Sequence, residues 1–94
     1  MAVVGVARWV LHLPGCRSLK QKRSVVRGMR DRLITRLRIS AAETSLQDRH
    51  ALAELSAAVV ATDRRHAESV LSHADALVRA DPRVQVVEAE TDFL

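Results

Sequence analysis

From Val3 to Leu13 apolar and polar positions alternate: Ala7, Trp9, Leu11 and Leu13 fall on one side, Arg8, Val10 and His12 on the other. A period of two in a stretch rich in β-branched and large apolar residues predicts a strand covered on one face, and Pro14-Gly15 stops it. The period then changes. Leu19, Val26, Met29, Leu33 and Leu37 recur at helical spacing, with Val25 and Ile34 at the margins of the stripe. Ser18 opens this helix, and Ser18 with Gln21 has the spacing of a capping box. Gly28 falls almost opposite the stripe, where a missing side chain costs no packing.

Arg38 to Ser45 reads as a second strand, with Ile39, Ala41 and Glu43 on one side, and the polar run Leu46 to His50 turns the chain. Ala51 to Ala61 reads as a third, with Ala53, Leu55, Ala57 and Val59 opposite Glu54 and Ser56. Asp63 is placed to cap a second helix, whose inward stripe is Ala67, Val70, Leu71, Ala74, Leu77 and Val78 and which Pro82 ends. Val84 to Thr91 forms the last strand, along which Glu88, Glu90 and Asp92 alternate.

The order βαββαβ predicts a single α+β domain over residues 1–94 with the ferredoxin-like arrangement: a four-stranded antiparallel sheet with two helices on one face. Right-handed crossovers place the first and third strands in the centre and the second and fourth at the edges. The carboxylates on the final strand then guard an exposed edge against open-ended pairing.

Composition narrows the function classes. The chain is 48% hydrophobic and 28% charged, with no run approaching the ~18 apolar residues of a membrane span and no signal-like N-terminus. Its single cysteine, Cys16, cannot form an internal disulfide or a Cys-rich metal site, which points to the cytoplasm. The four histidines fall in different elements or faces, and His66 and His73 stand two turns apart, so no metal site or cofactor is expected. Cys16 lies near a helix start and Arg17, which favours a thiolate, but no Cys–His–acid pattern accompanies it. A loop residue is the simpler reading. Acylphosphatases share this topology and cradle phosphate at the loop before the first helix, where Arg17 stands, but their mechanism needs an asparagine to position water and the chain has none. No enzymatic activity and no small-molecule substrate are expected. With Trp9 facing the helices and Phe93 at the end of the chain, the open sheet face carries no aromatic for the base stacking of RNA-recognition motifs.

Charge changes the picture most. Nine of the fifteen Lys and Arg lie between Arg17 and Arg38, opposed only by Asp31, so this segment carries +8 and the remaining 72 residues −4. On a helical wheel with Leu19 at zero, Lys20, Arg23, Arg27 and Arg30 fall between about 20° and 100°, on one flank of the apolar stripe, with Arg32 and Arg36 on the other. Arg17, Lys20, Lys22, Arg23 and Arg27 are the expected anion-contact residues. They suit phosphate-backbone contact, so structured RNA or a ribosomal surface is the expected partner. The alternative is a homo-oligomer, at its simplest a homodimer, in which the basic helix meets a neighbour's acidic final strand, with no nucleic-acid role.

Val4-Gly5-Val6, Leu11-His12-Leu13-Pro14-Gly15 and above all Ser18-Leu19-Lys20-Gln21-Lys22-Arg23 resemble the YlxP-like family of small bacterial proteins of unknown function. Ala42-Glu43, Gln47-Asp48, Ala53-Glu54-Leu55, Asp63 and Asp81-Pro82 extend the resemblance over essentially the whole chain; His50 departs from it, where many relatives carry Trp. The resemblance implies a ferredoxin-like fold and a cytoplasmic protein. Genes of that family neighbour those for ribosome-binding factor A and translation initiation factor two, which implies a link to translation or ribosome maturation. It implies no catalytic residue.

Overall fold

The computed structural model describes all residues, Met1–Leu94. Its elements are β1 (Val3–His12), α1 (Leu19–Leu37), β2 (Ser40–Ser45), β3 (Leu52–Ala61), α2 (Arg64–Arg79) and β4 (Gln85–Phe93). The sheet order is β2-β3-β1-β4 and every pairing is antiparallel. This is the ferredoxin-like α+β arrangement that the alternation of periods predicts.

The inward residues of β1 and β3 carry the core. Ala7, Trp9 and Leu11 pair with Ala57, Leu55 and Ala53, and all six are buried beneath Val26, Met29 and Leu33 of α1 and Ala67, Leu71, Ala74 and Val78 of α2. Trp9 also donates its indole N–H to Asp75 of α2 at 2.9 Å, which fixes the strand to that helix. Gly5 lies where Leu71 crosses closest: a Cβ there would stand 2.9 Å from Leu71 Cδ1 and 3.2 Å from Phe93 Cε1. Gly5→Val is accordingly expected to cost about 1–3 kcal/mol by overpacking. Chemical denaturation followed through the fluorescence of Trp9 measures it, and an unshifted midpoint would show that the space is not limiting.

Both helix starts follow their caps. Ser18 Oγ accepts from Gln21 N–H at 3.2 Å, and Asp63 Oδ1 accepts from His66 N–H at 2.8 Å. Gln21 reaches back one residue further than a capping box requires and accepts the Arg17 N–H at 2.6 Å. Element ends differ from the sequence reading where the backbone turns. Arg38 does not begin β2: it caps α1 in the left-handed region (φ 54°), its N–H donating to Ile34 O. β4 runs on to Phe93 because Val4 and Leu94 exchange backbone hydrogen bonds, and the Arg64 guanidinium lies 4.5 Å above the Phe93 ring.

No helix covers the outer sheet face. There Arg8 donates to Glu90 (2.7 Å), Glu88 (3.1 Å) and Glu54 (3.3 Å), so two of the three acidic residues of β4 meet a cation inside their own chain. Both edge strands are irregular: the register shifts opposite Val10/Leu11 on β4 and at Thr44 on β2. Such bulges, with Glu43 pointing inward from β2, protect the edges from adding another strand. No helix is long and apolar enough to cross a membrane.

Candidate functional site

Three cations of α1 find a carboxylate, while Arg36 on one flank and a group at the start of the helix and in the loop before it do not. Arg30 pairs with Asp31 at 3.0 Å, Arg32 with Asp81 at 3.1 Å and Lys22 with Glu43 at 2.9 Å. Arg17, Lys20, Arg23 and Arg27 are exposed and make no ion pair. They run from the loop before α1 along one flank of its first half, on the side the helical wheel assigns them.

Lys22 is the exception among the five expected contact residues, and a correction. It is fully buried. Its ammonium donates to Leu46 O (2.7 Å), Leu52 O (3.1 Å) and Gln47 O (3.3 Å), which engages all three N–H groups. Glu43 Oε2, also buried, therefore sits 2.9 Å away as a charge partner without a directed hydrogen bond. Lys22 cannot reach a phosphate. What it does is gather the β2–β3 connection against α1, including Leu46, held at a positive φ of 63° that a leucine adopts only under constraint. The wheel already carried the signal. Position 22 falls at about 300°, between Met29 and Val26 and inside the apolar stripe, where a lysine must bring partners with it.

Sequence reasoning also missed Arg49. β1 and β2 run in the same direction, so the end of β2 returns to the end of the molecule where α1 begins. There Leu13 N–H donates to Ala51 O at 2.8 Å and Lys22 holds residues 46, 47 and 52, which places exposed, unpaired Arg49 at the same end as Arg17 and Lys20. Topology alone would have predicted this.

A second cationic feature lies on the opposite flank of α1. Asp81, in the α2–β4 connection, is buried and accepts from Arg83 Nη2 (2.7 Å), Arg83 N (2.9 Å), Arg83 Nε (3.0 Å) and Arg32 Nη2 (3.1 Å). The hydrogen bonds from the Arg83 side chain, opposed by burial and reinforced by the Arg83 N–H and the charges of both arginines, hold its carboxyl at about 2. Because that value is depressed, the stability it contributes is present above the unfolded carboxyl value of ~3.9 and is lost as pH falls through about 2. Arg83 is half exposed, so the contribution is roughly 1–2 kcal/mol. Wild type is expected to lose that amount between pH 4 and pH 2 relative to Asp81→Asn. Equal acid dependence of the two denaturation midpoints would contradict it.

Cys16 is half-buried against the core, and no three His, Cys, Asp or Glu side chains converge where they could hold a metal ion.

Comparison with known proteins places this arrangement in a family without assigning it a task. No curated protein matches the sequence. Among solved structures, the chain is similar to a protein described as "De novo designed protein Foldit4", with a TM-score of 0.58 and 12% identity over 100% of this chain and 97% of that one. At that identity the likeness speaks to the fold alone. The family model described as "Protein of unknown function (DUF503)" matches residues 4–91, which takes in α1, the β2–β3 connection and the Asp81 cluster together. The chain belongs to the DUF503 family of proteins of unknown function.

Proposed function

We propose that the protein is a non-enzymatic, cytoplasmic RNA- or ribosome-associated factor that contacts phosphate backbone through the loop before α1 and the exposed flank of that helix. One observation carries this reading: Arg17, Lys20, Arg23 and Arg27 stand exposed along one stretch of surface and have no carboxylate partner in their own chain, whereas Lys22, Arg30 and Arg32 of the same segment each have one. Unneutralised cations on one surface repel one another, and a polyanion relieves that repulsion while releasing its own counterions. Arg49 extends the surface across the adjoining connection. The absence of an aromatic on the open sheet face favours a structured, base-paired target over a stacked single strand. The resemblance to YlxP-like proteins points the same way through the company their genes keep.

The homo-oligomeric reading has one observation in its favour, the uncovered outer face of the sheet, where Val60 is 71% exposed. Glu88 and Glu90, two of the three carboxylates through which a neighbour's basic helix would dock, already hold Arg8, which weakens that mode. Co-sedimentation with purified ribosomal subunits tests the first reading: the protein is expected in the pellet at low salt and in the supernatant at high salt. A protein that stays in the supernatant at every salt concentration, and also leaves structured RNA unbound, would sink it.

A further inference from the structure

We propose that the cleft between the second half of α1 and the end of α2 is a phosphate-binding site, formed by Arg32, Arg36 and Arg83 around Asp81. It is distinct from the flank that carries Lys20 and Arg23, since Arg32 and Arg36 occupy the opposite side of α1. The cleft is open and has a volume of about 640 Å³, within the range of small-ligand sites.

Three guanidinium groups share this space with one carboxylate. Asp81 neutralises one positive charge and fixes two of the arginines: Arg32 through Nη2, Arg83 through Nε and Nη2. The remaining donors have no partner in the chain. These are Nε and Nη1 of Arg32, Nη1 of Arg83 and the whole guanidinium of Arg36, which makes no hydrogen bond or ion pair. Two uncompensated charges therefore face one cleft, with planar donor groups of the kind that bind phosphate oxygens in pairs. The end of α2 would ordinarily repel an anion, but its carbonyls at Ala76 and Val78 accept from Ala80 and Asp81 N–H, at 3.0 and 3.3 Å. Asp81 acts as the positioning residue. Buried and held by four donors, it orders Arg32 and Arg83 before any ligand arrives, which lowers the entropic cost of binding.

The ligand chemistry is a phosphate group, whose source is either a free phosphorylated molecule or an RNA backbone. Nuclear magnetic resonance on the full chain separates the two by following the Nε–H signals of the arginines during titration with inorganic pyrophosphate and then with a short RNA duplex. Saturable shifts at Arg32, Arg36 and Arg83 with pyrophosphate, weakened about tenfold by Arg36→Gln, are the expected result for a free ligand. The same shifts appearing only with the duplex, and weakened likewise, would support the site with the backbone as its source. Arg36 is exposed and unpaired, so Arg36→Gln leaves the fold intact. Shifts confined to Arg17 and Arg23, linear shifts that never saturate, or an affinity unchanged by Arg36→Gln would overturn the proposal. Because the signals are resolved by residue, failure here leaves the reading of the α1 flank separately testable.

Discussion

Lys22→Met is expected to destabilise the protein by about 3–5 kcal/mol, a fall in melting temperature of roughly 15–30 °C for a domain of this size. The substitution keeps the length and apolar stem of the side chain but removes its charge and donors. Glu43 is then left as a buried carboxylate without a cation, and the carbonyls of Leu46, Gln47 and Leu52 lose the donor that gathers them. The strained backbone at Leu46 loses its restraint at the same time. Lys22→Met/Glu43→Leu should recover at least about 1 kcal/mol, since it removes the stranded charge although not the unmet carbonyls. Denaturation followed by the fluorescence of Trp9, the sole tryptophan, reads both variants. A single variant within 1 kcal/mol of wild type would mean that Lys22 is not a structural anchor.

Lys20, two residues earlier, should behave in the opposite way. Lys20→Glu/Arg23→Glu changes two exposed, unpaired side chains and is expected to leave stability within about 1 kcal/mol of wild type. Affinity for a structured RNA at moderate salt should fall at least ~30-fold, because two contacts of about 1 kcal/mol each are lost and replaced by repulsion. Arg64→Glu/Arg65→Glu makes the same change in net charge at the start of α2. An equal loss of affinity in that control would show that overall charge, rather than the α1 flank, drives binding.

The contrast between Lys20 and Lys22 marks how far the sequence could be read. Strand and helix periods placed every element, because each has one covered face and its apolar residues repeat at the spacing of that face. Trp9, Leu11 and Leu55 lie inward and Arg8 and Glu54 outward, as the alternation requires. Charge alone groups Lys22 with Lys20 and Arg23, although its position falls inside the apolar stripe. Charge describes a residue type, whereas burial depends on what a neighbouring segment brings; here that is Glu43, inward on its own strand. The Arg8 cluster depends on the register between β1 and β4, which includes a bulge that no periodicity announces. Asp81 is further from reach. It joins α1 to a connector 49 positions away, and only the crossing of the two helices brings Arg32 to it.

These assignments divide one basic segment into three roles: Lys22 holds the β2–β3 connection, Arg32 meets the buried Asp81, and the exposed flank is free to meet an anion. That last role is the central claim, and the salt dependence of binding to a structured RNA duplex tests it most directly. Four phosphate contacts by Arg17, Lys20, Arg23 and Arg27 give a slope of log affinity against log salt of about −3, and Lys20→Glu/Arg23→Glu should reduce it to about −1.5. Identical slopes for the two proteins would contradict the account.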